Sequence, residues 1–97
     1  MPKGRVSWTK PASADLRKIN EWLTQETTPR FALQTLAHIR FRAKFLEDFP
    51  RGARPLKDGT RVLRVLQTPY LIRYRLVDDL VEVLRVHHER EDWLIGS

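Results

Sequence analysis

Residues 61 to 88, RVLRVLQTPYLIRYRLVDDLVEVLRVHH, set arginines inside runs of Val, Leu, Ile and Tyr and end on two adjacent histidines. Guanidinium groups bind anions through a rigid fork of N–H donors, so their position on a sheet decides what that sheet can meet. Punctuation at Gln67-Thr68-Pro69 and Val77-Asp78-Asp79 divides the stretch into a meander of strands. Alternation places Tyr70, Ile72, Tyr74 and Leu76 on one face of the second run, and Leu71, Arg73, Arg75 and Val77 on the other. In the third run, Val81, Val83, Arg85 and His87 share a face opposite Leu80, Glu82, Leu84, Val86 and His88. Arg61 and Arg64 fall on opposite faces of theirs, so at most one of them joins a common surface. Arg73, Arg75, Arg85 and Arg64 are therefore the candidate target-binding residues, suited to an anion, a nucleic acid or an acidic protein surface. The competing use is internal: the same arginines can pair with Glu82 and Asp residues across the sheet at little net gain.

Other chemistry is sparse. The three histidines are His38, His87 and His88, and there is no cysteine, so neither a disulfide nor a thiolate metal site can form. Adjacent strand residues point to opposite faces, which separates His87 from His88 as ligands of one metal. His38 lies in a helical stretch and reads as a surface or packing residue. Asp78-Asp79 stands where a hairpin turn wants turn-formers. No glycine-rich phosphate loop occurs, and no cofactor or metal is expected.

These strands need elements to hold them. Arg5 to Thr9 reads as a first strand with Val6 and Trp8 on one face. From Lys10 to Thr27 the period turns helical through Ala12, Leu16, Ile19 and Leu23, with Thr9 as a cap and Pro11 in the first turn. A second helix begins after Thr28-Pro29 and runs to about Asp48, its stripe Ala32, Leu36, Ile39, Ala43 and Leu46 widened by Phe45 and Phe49. Residues 50 to 59, PRGARPLKDG, read as a loop, and 89 to 97 as a short tail or one helical turn anchored by Trp93 and Ile95. The order is β-α-α-β-β-β, an α+β chain in which a helical hairpin packs on a small twisted antiparallel sheet.

A length of 97 residues suits a single domain spanning 1–97. The net charge of +6 and pI near 10.3 favour acidic partners. The absence of cysteine, of a signal peptide and of any membrane-length apolar run fits a soluble protein of the cytoplasm with no membrane partner.

The phrases SADLRKINEWL, FLEDFP, GARPL and RVLRV...YLIRYRL...VEVLRVHHERED, in this order, resemble the ParE/RelE superfamily of type II toxin-antitoxin toxins across nearly the whole chain. The resemblance implies a toxin neutralised by a co-expressed, ParD-like antitoxin, with operator DNA bound by the complex through the antitoxin. It leaves two activities open. ParE-like toxins poison DNA gyrase while it holds cleaved DNA; RelE-like toxins cut mRNA in the ribosomal A site.

Cleavage by 2'-hydroxyl attack needs a base, an acid for the leaving oxygen and cations around the phosphate. In the YoeB-like branch a glutamate precedes the Pro-Leu of the loop, and an arginine stands three residues before the strand tyrosine. Those places hold Arg54 and Leu71 here. Arg85-Val86-His87-His88 resembles the branch's Arg-x-His-Tyr ending with His88 in place of tyrosine, so a nuclease would draw on His87, His88 and Arg85, His87 as acid. The continuation Glu89-Arg90-Glu91-Asp92 resembles ParE-like chains, and for the gyrase reading both histidines can be structural, with strand-end hydrogen bonds. The gyrase poison is therefore the expected activity, with the ribosome-dependent nuclease and a non-toxic antitoxin binder as alternatives.

Overall fold

The computed structural model describes residues 5–91. The expected anchoring by Trp93 and Ile95, and Asp92 of the resembling motif, lie outside the described residues. Strand β1 (Arg5–Trp8) leads into helices α1 (Lys10–Glu26) and α2 (Pro29–Phe45), followed by β2 (Arg54–Pro55), β3 (Arg61–Arg64), β4 (Tyr70–Val77) and β5 (Leu80–His88).

Both helices start where threonine and proline coincide. Thr9 accepts from the Ala12 N–H at 3.2 Å, and Thr28 from the Phe31 N–H at 3.1 Å. The Thr9 hydroxyl also donates to the Val83 carbonyl at 2.9 Å, which pins the start of α1 to β5. Helix α2 ends at Phe45, earlier than its sequence period suggests. Residues 46 to 48 continue as tighter turns with i to i−3 bonds, such as Leu46 N–H to Ala43 O at 3.0 Å, before Pro50 closes the segment. Phe49 does not widen the buried stripe; it is exposed and stacks on Phe45, with ring centroids 4.9 Å apart.

The five strands form one sheet in the order β1-β5-β4-β3-β2. It is mixed rather than antiparallel throughout, because β1 runs parallel to β5 with Val6 opposite Val81 and Trp8 opposite Val83. The helix pair carries the chain down and back, and the meander then delivers β5 in the direction of β1, whose hydrogen bonds it completes. Ile39, Leu46, Leu63, Ile72, Tyr74, Val81 and Val83 form the core between the helices and one face of the sheet. The Tyr74 hydroxyl, buried in that core, donates to the Pro50 carbonyl at 2.8 Å and ties the sheet to the end of the helical layer.

One irregularity shapes the site. Tyr74 pairs with Val83 but Arg73 pairs with Arg85, so Leu84 is an extra residue in β5. Val81 and Val83 therefore lie on the core face, Val86 returns to it beyond the bulge, and the expected shared face of Val81, Val83, Arg85 and His87 is split at Leu84.

Candidate functional site

Each candidate arginine has an internal carboxylate. Arg75 Nε lies 2.6 Å from Glu82 Oε1 across the β4–β5 register, and Arg64 Nη2 lies 3.0 Å from Glu89 Oε2. Arg73 donates to Asp58 at 2.6 Å and to the Thr60 hydroxyl at 3.1 Å, with only 12% of its side chain exposed. Gly59, at a φ of +83°, makes the turn that sets Asp58 and Thr60 there. The hydroxyl and N–H of Thr60 hold the Asp58 carboxyl below its ordinary range, and Arg73 adds to the effect.

Arg85 is held most firmly. Its Nε and Nη2 donate to the two Asp15 oxygens at 2.8 and 3.0 Å, and the Val86 N–H donates to the same carboxylate at 2.8 Å. Beyond Val83, β5 has outrun β1, and Asp15 from α1 satisfies an N–H that no strand reaches. Sequence reasoning missed Asp15. The signal was present, because Ala12, Asp15 and Ile19 follow the three-and-four spacing of the buried stripe, where a carboxylate needs a cationic partner.

The histidines part company as adjacent strand residues must. His87 is buried and stands across from Leu71, also buried, while its Nδ1 is 3.4 Å from Glu91 Oε2. Burial draws its pKa below the ordinary value of 6.5, against the opposing pull of Glu91, so the neutral ring is favoured near pH 7. His88 is fixed locally. Its backbone N–H donates to Glu91 Oε1 at 2.7 Å, its Nδ1 accepts from the Arg90 N–H at 3.1 Å, and its ring meets Tyr70 edge-on at 5.5 Å. Glu91, which sequence reading treated only as part of a motif, thus links both histidines.

A cavity of about 380 Å³ opens between α1 and the ends of β4 and β5, lined among others by Lys18, Trp22, Tyr70, Arg85 and His88. It brings Arg85 and His88 together. Lys18 and Arg85 are the cations of its lining, and Asp15 and Glu91 line it as well. Arg54 lies on the short strand β2 opposite Val62, and Leu71 occupies a buried place beside His87. Among the described residues no group of three or more His, Asp or Glu could hold a metal, and no helix is long and apolar enough to cross a membrane.

A helical hairpin on one face of a five-stranded mixed sheet is the architecture of the ParE/RelE class of small toxins. Within that class the chain belongs to the family described as ParE toxin of type II toxin-antitoxin systems, whose sequence pattern matches residues 6–93. It is 32% identical over 94 residues to Y4kP of Sinorhizobium fredii, whose name marks it as a toxin, covering 96% of each chain. It is 33% identical over 84 residues to Toxin RelE2 of Caulobacter vibrioides, covering 87% of this chain and 93% of that one. Among solved structures, the chromosomal ParDE toxin-antitoxin system of P. aeruginosa superposes with a TM-score of 0.81 at 27% identity, covering 89% of this chain and 96% of that one.

Proposed function

We propose that this toxin poisons DNA gyrase and so blocks replication, acts in the cytoplasm, and is neutralised by a ParD-like antitoxin through which the complex binds operator DNA. One observation carries the choice of target: where an RNA-cleaving site needs its base and its phosphate clamp, the chain has Arg54 on an edge strand and Leu71 buried across from His87. A buried, neutral imidazole is a poor proton donor to a phosphate that has to arrive from solvent. His88, with Nδ1 already accepting a hydrogen bond, has its place at the strand end explained without catalysis. Gyrase poisoning needs a stable surface and no proton transfer.

The runner-up is a ribosome-dependent endoribonuclease. The likeness to the Caulobacter RelE2 favours it, as does the cavity that holds Arg85 and His88 together. Purified protein is expected to inhibit supercoiling by gyrase and to accumulate cleaved DNA, with mRNA on programmed ribosomes left whole. Codon-positioned mRNA cleavage that falls by about 100-fold or more in His87→Ala or His88→Ala, while gyrase runs normally, would reverse the assignment.

A further inference from the structure

The segment that joins the helical layer to β3 is tied down along its backbone and displays cations. Between Pro50 and Arg64 stand Arg51, Arg54, Lys57, Arg61 and Arg64, against a single acid, Asp58; Glu47 and Asp48 lie just ahead of it. Asp58 is held by Arg73 and Thr60, and Arg64 by Glu89. Arg61 spends its Nη1 on the main chain, donating to the Ala53 carbonyl at 2.8 Å. Arg51, Arg54 and Lys57 are exposed and pair with no carboxylate among the described residues. Beneath them, the Tyr74 hydroxyl donates to the Pro50 carbonyl at 2.8 Å, the Gly52 N–H to the Phe49 carbonyl at 3.0 Å and the Leu56 N–H to the Thr60 carbonyl at 2.7 Å. A backbone fixed in advance lowers the ordering cost when an anion arrives, which separates a built surface from a solvated run of charge.

An aromatic platform adjoins it. Phe49 stacks on Phe45 with ring centroids 4.9 Å apart, yet stays 56% exposed, so its other face is left for a partner. Gly52 lets the loop lie against the stacked pair: a Cβ there would stand 3.2 Å from the Phe49 carbonyl and 3.5 Å from the Phe45 ring. From Pro50 to Arg64 no large apolar side chain is exposed. A protein partner would therefore find charge without the apolar centre that protein interfaces use. Duplex DNA keeps its bases paired and offers Phe49 none. Cations beside one open ring match a single strand, whose phosphates track the charge while a base stacks.

We propose that this corner binds single-stranded DNA, with phosphates on Arg51, Arg54 and Lys57 and one unpaired base on the open face of Phe49. Its source in the cell, the cleaved DNA held by gyrase, rests on the gyrase reading. The probe is a fluorescently labelled oligothymidylate of about twelve nucleotides, titrated with the purified full-length toxin between about 50 and 200 mM salt, beside an oligouridylate and a duplex of the same length. Three phosphate contacts predict that the logarithm of affinity falls with that of salt at a slope of about −2. Arg51→Ala and Lys57→Ala should each remove about 0.7 from that slope. Phe49→Ala should weaken binding about fivefold or more and leave the slope alone, and Phe49→Trp should restore it. Arg30→Ala, which removes an exposed cation at the far end of α2, should stay within about twofold, and every variant should melt within a few degrees of the parent.

No binding at the lowest salt overturns the proposal, as does a loss in Arg30→Ala equal to that in Arg51→Ala. A duplex bound as tightly as the single strand also overturns it, because Phe49 then meets no base. Preference for the oligouridylate by about tenfold or more removes the DNA assignment and points to the ribosome-dependent alternative. Supercoiling assays on the same protein keep two failures apart. Gyrase inhibited by a toxin that ignores the oligothymidylate ends this inference alone; oligothymidylate bound with the predicted slopes, and gyrase left running, upholds it and ends the gyrase reading.

Discussion

Four arginines of the sheet and the exposed cations of helix α2 are used in opposite ways. On the sheet, Arg64, Arg73, Arg75 and Arg85 each meet a carboxylate at 3.0 Å or less. On α2, Arg30, Arg40 and Lys44 meet none among the described residues. A paired guanidinium has already exchanged its hydration for an internal partner, and a ligand must compete with that partner. An unpaired one keeps its charge for whatever arrives. Net charge alone therefore says little about where a partner sits. The strand arginines are the more conspicuous in sequence, yet four of them are already paired with carboxylates.

If the sheet arginines are chiefly structural, removing a partner should show first in stability. The largest effect is expected for Asp15→Ala, which strands the Val86 N–H and releases Arg85. Breaking a buried pair costs about 3 to 5 kcal/mol, and with Arg85 half in water the lower end, about 3 kcal/mol, applies. Denaturant unfolding measures it; a loss under about 1 kcal/mol would erase the contrast with α2. Arg73→Ala comes next. Its guanidinium is almost covered and bonds both Asp58 and Thr60, so the melting temperature should drop by roughly 5 °C. Arg73→Lys should recover only part of that, since an ammonium cannot reproduce the fork. A melting curve left in place, with toxicity lost, would return Arg73 to the target surface.

Much of the architecture was legible because its signals are local. Thr9 with Pro11 and Thr28 with Pro29 mark helix starts by capping chemistry that needs no tertiary context, and the alternation of Tyr70, Ile72 and Tyr74 identifies the core face of β4. The parallel direction of β1 was not legible, because direction depends on the path of the intervening chain. Leu84 as a bulge was hidden for a similar reason: alternation assumes that no residue is extra. The pairing of the site was the least accessible part. Asp15 and Arg85 are 70 residues apart, and only the fold brings them together. Yet the acid-free run from Pro29 to Phe45 was plain in the sequence. What was missing there was the knowledge that the strand arginines are already partnered.

His87 tests how dry the sheet end beside Leu71 is. Its folded pKa lies below its ordinary value of 6.5, chiefly through burial, so below that pH the unfolded chain binds the extra proton more readily. Stability should then fall as pH drops from 7 through the folded pKa, and the slope should flatten in His87→Gln. Matched unfolding curves at pH 7 and pH 5.5 on both proteins give the answer. An identical slope in the two would mean that His87 is as wet in the folded state as in the unfolded one.

The smallest expected effects belong to Arg75–Glu82 and Arg64–Glu89, and they set the sharpest limit on the comparison. Both arginines are more than half exposed, so water and salt screen each pair and side-chain ordering offsets its attraction. Arg75→Ala and Arg64→Ala should each change stability by no more than about 0.5 kcal/mol, with most of that lost at high salt. Stability thus cannot tell a weak structural pair from a target contact at these positions, but toxicity can. Growth arrest that survives both substitutions would leave Arg64 and Arg75 as parts of the scaffold. Arrest lost with either one, at unchanged stability, would mean that an exposed pair opens to meet the target, and that short carboxylate distances on this sheet do not mark its arginines as spoken for.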